Sequence, residues 1–513
     1  MKYFPFDAEN FYEISKKNKN FLKKWPVKDE EIKIFFDNVL RIYLSKISEL
    51  NYRDKTIIFS DFQFFYFIFQ HLYSSLIKTK VKNKFKSSHL VKGDSFKYFF
   101  PNKSSILFKY DLENQNQNQN VKNFLKDLIY NFRGQKNKSK YFLLGSNTKI
   151  IKQYINENKI KIKNISIKYF IEKDYTLSKD IKNFTTNFFL ETNKFCEKKY
   201  KFKFNKNYLE RTFLKRLKII NNIVNNILIK KNEVLKFDGV IFSQIMNPLQ
   251  RAVAGAFKLI KKDSVSFDHG TSLHYYEEII DSIFLLNSTK HVCFNDKSVK
   301  NLKSRINKSL FKIFLKNIDL VTNKYNFYNK LFLNKKGQTK KVKKKIKTIL
   351  VMGFPMGSLV YPGLEGYTFF NKLKIEIEIM KFLKKIGCKV IYKVHPERSF
   401  PTDRIMQKYC DKIIYERFEK YNVSTFDAII HTYFLGSTFT FSLCNKYKII
   451  ALNQDMKSCT KEFQSVLKRR CFIVNGGSKD GMPYLNKKKL FSIISNIDKN
   501  NSVDLSNIKN YLL

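Results

Sequence analysis

The sequence predicts an α/β chain built on two parallel sheets that face one another across a cleft. Three observations carry that prediction. Apolar runs of strand length alternate with stretches of helical spacing from residue 238 onward. Two of those runs end in a histidine motif, Ser266-Phe267-Asp268-His269-Gly270-Thr271 and Tyr392-Lys393-Val394-His395-Pro396-Glu397. A lysine-rich stretch at 335–347 separates the two motifs, so each histidine falls at the carboxyl end of a strand in its own half. In open α/β sheets that edge is where ligands bind.

Taken in order, the first 230 residues carry the weakest signal. Runs at 56–59, 141–144 and 165–170 have strand character, and they are expected to be the early strands of an amino-terminal sheet. The aromatic patch 62–69 is short and flanked by ordinary polar residues, which predicts core rather than a lipid anchor. The Gln/Asn alternation at 115–120 reads as a solvated loop. From 238 the pattern sharpens into a βαβ unit: strand 238–243, helix 248–260 with Pro248 in its opening turn, strand 264–268. Strands at 283–286 and 291–294 and a helical stretch near 297–316 complete an amino-terminal domain over 1–334, best defined over 238–310. Residues 335–347 form the linker. The domain at 348–513 restarts with a strand at 348–354 and the loop Gly353-Phe354-Pro355-Met356-Gly357-Ser358. A helix at 371–386, strands at 388–394, 412–415, 428–432, 448–452 and 471–474, and a helix near 487–497 follow.

Composition limits the partners. The formal net charge is +53, from 97 Lys plus Arg against 44 Asp plus Glu. Lysine supplies most of it, and the planar arginine fork that nucleic-acid readers exploit is scarce. The charge therefore argues for an anionic membrane surface rather than a specific nucleic acid. The seven cysteines show no Cys-x-x-Cys and no His/Cys cluster at zinc-ligand spacing, so reduced, buried thiols and no metal are expected. Acidic Asp7 and Glu9 and the lack of an apolar segment at the start argue against a signal peptide, and no apolar run spans a bilayer. The expected location is cytoplasmic, peripheral at the inner face of the membrane.

The chemistry lies in the loops. Gly436, Ser437 and Thr438 open a helix and present backbone N–H groups suited to a phosphate, although the same residues also serve as a plain cap. Lys393 and His395 lie on the same edge of the same sheet and complete a receptor for a phosphate leaving group. Gly353, Gly357, Ser358 and Glu397 line the adjoining donor-site loops. The chain has no Asp-x-Asp pair to grip a metal-nucleotide complex, which favours transfer without a metal or other cofactor. Across the cleft, His269 suits a general base for an acceptor hydroxyl, with Asp268 as orienting carboxylate and Glu277 and Glu278 in reserve. Successive strand residues point to opposite faces, so sequence alone does not pair Asp268 with His269.

His269-Gly270-Thr271, Lys393-Val394-His395-Pro396, and Asp427 to Ile430 followed by Ser437-Thr438 resemble the three signatures of CDP-glycerol glycerophosphotransferases. They are similar also to those of related bacterial polysialyltransferases and capsule Kdo transferases. The resemblance covers roughly 238–455 and implies a GT-B fold, two Rossmann-like domains with the nucleotide-activated donor on the carboxyl-terminal one. It implies His269 as catalytic base and His395, Ser437 and Thr438 as phosphate ligands. The chain departs from the pattern at Ser272, Leu273 and His274, where proline and lysine are usual, and at Thr432-Tyr433, where an Asp-Tyr-Ser-Ser run is usual. It also lacks an acidic residue at the helix position that binds the donor ribose. The expected activity is transfer of a sugar or polyol phosphate from a nucleotide-activated donor to a surface glycan or lipid-linked acceptor. The alternatives are a non-catalytic carbohydrate-assembly protein of the same fold, a nucleotide-sugar epimerase and a basic nucleic-acid-binding protein.

Overall fold

The computed structural model describes residues 2–5, 26–84, 89–92, 139–144, 148–164, 170, 174–242, 248–268, 285–322, 331–332, 347–353, 369–395, 403–421, 425–434, 436–454, 456, 459–479, 482–497 and 504–513. Two six-stranded parallel sheets dominate it. The first comprises β1 (Lys140–Leu144), β2 (Lys161–Asn164), β3 (Gly239–Phe242), β4 (Asp263–Phe267), β5 (Lys290–Cys293) and β6 (Asp319–Thr322), in the order β2-β1-β3-β4-β5-β6. The second comprises β7 (Thr348–Met352), β8 (Lys389–Lys393), β9 (Lys412–Ile414), β10 (Ala428–His431), β11 (Ile449–Leu452) and β12 (Phe472–Val474), in the order β9-β8-β7-β10-β11-β12. That order, third, second, first, fourth, fifth, sixth, is the doubly wound Rossmann order. The fold is α/β with two Rossmann-like domains.

The central strands are almost wholly buried, as in Gly239–Phe242, Ala428–His431 and Ile449–Leu452. A strand covered on both faces needs continuous apolar sequence rather than alternation, and these runs supply it.

The amino-terminal segment differs from expectation. Residues 56–59 are not a strand but lie in α2 (Tyr52–Ser60), between α1 (Asp29–Ser48) and α3 (Phe62–Lys84). Local capping overrides the β-branched run: the Asn51 side chain accepts a hydrogen bond from the Asp54 N–H at 2.9 Å, and Ile57, Ile58 and Phe59 bury themselves on the helix. The 62–69 patch is core, as expected, with Phe62, Phe64, Phe65, Phe67 and Phe69 buried. These rings and Tyr43 pack with Phe184 and Phe188 of α5 (Lys179–Tyr200) and with Phe213 of α6 (Lys206–Ile229). Of the 165–170 candidate, only Phe170 is described, and it is buried. The 115–120 loop and nearly all of the 335–347 linker lie outside the described residues.

This helical layer joins the first sheet through α7 (Pro248–Leu259). Gly255 lets α7 approach α2, since a Cβ built there meets Thr56 Cγ2 at 2.3 Å. A buried polar seam closes the joint. Arg216 Nε and Nη2 donate to Asp61 at 2.6 and 2.7 Å, Arg251 Nε donates to the Ser60 carbonyl at 2.7 Å, and Asn287 Nδ2 donates to Ser60 Oγ at 2.7 Å. Leu285 and Leu286 are buried beside this seam but belong to no strand, so the strand reading of 283–286 is corrected at these two residues, and 283–284 lie outside the described residues. The polar groups at 287 and 288 take the chain into a turn before β5.

In the second domain, α9 (Phe369–Lys385), α10 (Ser437–Leu443) and α12 (Lys487–Ser495) follow the sequence expectation, and α11 (Lys461–Arg470) adds a helix that was not expected. A further helix, α13 (Ser506–Leu512), packs on α11. It also meets α8 (Asp296–Lys308) of the first domain: Asn295 Nδ2 donates to the Leu512 carbonyl at 2.6 Å, and Lys297 Nζ lies 4.3 Å from the Tyr511 ring centroid.

Candidate active site

The reversal of strand order in the second sheet falls between β7 and β10, which stay paired as far as Met352 and His431, and in open α/β sheets the carboxyl edge at such a reversal is where ligands bind. The loop after β7 begins with Gly353, whose N–H donates to the Lys393 carbonyl of β8 at 2.9 Å. Lys393 itself is buried. Its ammonium donates to the Val394 carbonyl at 2.7 Å and the Tyr415 carbonyl at 3.3 Å, tying the ends of β8 and β9 together. His395 follows two residues on and is half-buried. On the other flank, Thr432 Oγ1 reaches across to the Met352 carbonyl at 3.4 Å. Gly353, Lys393 and His395 thus lie along one sheet edge. Gly357, Ser358 and Glu397 lie outside the described residues.

Ser437 and Thr438 occupy the first turn of α10 and cap nothing. The cap position is Gly436, which has no side chain to accept the first N–H groups. Ser437 is exposed and Thr438 half-buried. What fixes this short helix is a network that sequence reasoning missed. His431, at the end of β10, is 3.0 Å from Ser442 Oγ, and Ser442 Oγ donates to the Thr438 carbonyl at 2.8 Å. The hydroxyl proton is therefore committed, which makes the His431 Nε2–H the donor. Burial, and secondarily the Arg470 charge, lowers the His431 pKa to about 3, so the ring is neutral. Arg470 closes the same carboxyl-terminal end of α10. Its guanidinium donates to the carbonyls of Leu443 and Ser442 at 3.0 Å each and to Asn445 and Tyr447 at 2.5 and 3.0 Å. The legible signal for His431 was a polar residue ending an otherwise apolar strand.

Asp427 of the third signature stands at the opposite, amino-terminal edge. Its carboxylate accepts from the Thr348 N–H at 2.8 Å and starts the β7–β10 pairing. Asp238 and Asp411 do the same for β1 and β8, accepting from Lys140 and Val390 at 2.8 and 2.7 Å.

In the first domain, His269, Glu277 and Glu278 lie outside the described residues, as do Ser272, Leu273 and His274. Asp268 is described and nearly buried. Its Oδ1 lies 2.9 Å from His291 Nε2 and its Oδ2 accepts from the Phe294 N–H at 2.8 Å. The carboxylate expected to orient His269 is thus engaged with β5. Ser266 Oγ sits 2.8 Å from His291 Nδ1 and completes a buried Ser–His–Asp chain. Sequence reasoning gave His291 no role. Its signal was polar alternation, Ser266-x-Asp268 against His291-x-Cys293, within strands otherwise apolar.

A surface cavity of about 560 Å³, lined by Tyr154, Glu157, Asn158, Lys290, Asp319, Val321 and Thr322, flanks β5 and β6. Among the described residues, none of the predicted site residues lines it.

No protein-family model matches the chain, and no curated protein matches it. Among solved structures, that of Arabidopsis thaliana UGT89C1 is similar over 76% of this chain and 88% of that chain, with 10% identity and a TM-score of 0.35. The fold assignment rests on the two strand orders and not on this likeness. Among the described residues no helix is long and apolar enough to cross a membrane.

Proposed function

We propose that the chain is a metal-independent transferase that moves a sugar or polyol phosphate from a nucleotide-activated donor to a surface glycan or lipid-linked acceptor. The observation that supports this reading is the strand order of the second sheet, whose reversal falls between β7 and β10, with Gly353, Lys393 and His395 at the carboxyl ends of β7 and β8 on the same edge. In this reading residues 1–334 hold the acceptor, 335–347 connect, and 348–513 hold the donor.

His269 takes the proton of the acceptor hydroxyl as its oxygen attacks the transferred group. The bond to the nucleotide phosphate breaks, and His395, Ser437 and Thr438 hold the charge that develops on the leaving oxygen. Lys393 contributes as a strut for the His395 loop and as a nearby positive charge. The surplus of lysine favours action at the inner membrane face, beside anionic headgroups.

The test is a transfer assay with CMP-, CDP-, UDP- and GDP-activated donors on wild type, His269→Ala and His395→Ala. Loss of turnover by roughly 10²-fold or more in each variant is expected, the scale on which acid–base and oxyanion contacts contribute. Full activity in both variants contradicts the site assignment. Turnover of free donor without acceptor points to an epimerase instead.

A further inference from the structure

We propose that Asp268, His291 and Cys293 form a structural binding site for a divalent transition metal of the zinc type, independent of the transfer reaction. Ser266 and Asp268 are alternate residues at the end of β4, and His291 and Cys293 are alternate residues of β5. Ser266 pairs directly with His291, so the four side chains share one face of the sheet. One ligand atom from each of Asp268, His291 and Cys293 lies within 4.8 Å of the other two, and all three residues are buried. Sequence spacing concealed the group, because Asp268 and the His-x-Cys pair belong to different strands.

Imidazole, thiolate and carboxylate together are a zinc donor set rather than one for magnesium or calcium, which take oxygen. Charge favours the same occupant. A thiolate and a carboxylate buried together are neutralised by one divalent cation. The outer contacts that hold metal ligands in place are also built. The Phe294 N–H fixes Asp268 Oδ2, and Ser266 Oγ lies on the ring nitrogen that would not face the metal.

Proton positions follow from these contacts. Without metal, the His291 Nε2–H donates to Asp268 Oδ1, and the Ser266 hydroxyl donates to Nδ1. On metal binding the ring proton moves to Nδ1 and is accepted by Ser266 Oγ, whose own hydrogen turns to the Lys290 carbonyl 3.4 Å away. The Cys293 thiol releases its proton to solvent. Nε2, Oδ1 and Sγ then present lone pairs to one cation, and water supplies a fourth donor.

The test uses the full-length chain, purified without chelator, with metal content measured by mass spectrometry and cobalt(II) added after zinc removal. About one zinc per chain is expected, together with a thiolate-to-cobalt charge-transfer band and a higher Tm on metal addition. Cys293→Ser should lose the band and His291→Gln should weaken cobalt binding by more than tenfold, while Cys388→Ser in the other domain keeps both properties. Wild-type protein that retains no zinc and gives no charge-transfer band with cobalt overturns the proposal, whether or not the variants fold. A band that persists in folded Cys293→Ser overturns it as well. Nucleotide binding by the second domain is unaffected in either case, so this result and the transferase reading fail separately.

Discussion

At the scale of single residues, two histidines missed by sequence reasoning do more for the described structure than the two it singled out. His431 is held neutral by burial, with a pKa lowered from 6.5 to about 3. An unfolded chain takes up that proton first on acidification, so the stabilisation is complete above pH 6.5 and is lost as pH falls toward 3. Replacing His431 with Gln keeps a donor for Ser442 and removes the titration. The variant's stability, followed by denaturant unfolding, should fall less steeply than wild type between pH 6 and 4, by an amount on the order of a few kcal/mol. An equal slope in the two proteins contradicts the assignment of a buried neutral ring. Asp411 adds to the same acid sensitivity. Desolvation alone would raise its pKa, but the Val390 N–H and the Lys384 ammonium overcome that and lower it, so its contribution also disappears as pH falls. The strand-end position of His395 was legible because it follows an apolar run, while His269 lies outside the described residues. The partners of Asp268 were not legible, since a strand-to-strand contact leaves no spacing along the chain.

At the scale of elements, most strands of both sheets could be read from sequence from residue 238 onward because parallel strands buried on both faces are continuously apolar, whereas the edge strand β6, only half-buried, went unread and Leu285–Leu286 was misread as strand. The amino-terminal helices could not, since Thr56–Phe59 carries the same residue types while Asn51 and the surrounding aromatic core dictate a helix. The short helix α10 is likewise specified from outside, by His431 and Arg470, which both engage its carboxyl-terminal turn. Arg470→Met should leave the carbonyls of Ser442, Leu443, Asn445 and Tyr447 without that donor, costing on the order of 3 kcal/mol or more and loosening the Ser437–Thr438 turn. Amide hydrogen exchange in 437–447 is the measurement. Unchanged protection there would show that α10 stands without the guanidinium.

At the scale of the whole molecule, the contacts between the helical layer and the first Rossmann-like sheet predict that the two unfold together. Arg251 and Asn287 cross their boundary under burial to reach Ser60, the Asp61–Arg216 pair holds the layer beside that joint, and Gly255 sets the spacing. Asp61→Ala strands the Arg216 charge and should destabilise the protein by about 3–5 kcal/mol. Gly255→Val should lower Tm by separating α7 from α2. A second transition appearing on calorimetry in either variant would mean that the layer folds on its own. The account depends most on the carboxyl edge of the second sheet receiving a nucleotide. Isothermal titration of CMP, CDP, UDP and GDP into wild type and His395→Ala tests this most directly. Saturable binding of one nucleotide to wild type, weakened at least tenfold in the variant, is the predicted result. No binding of any of the four, or equal affinity in both proteins, would contradict it.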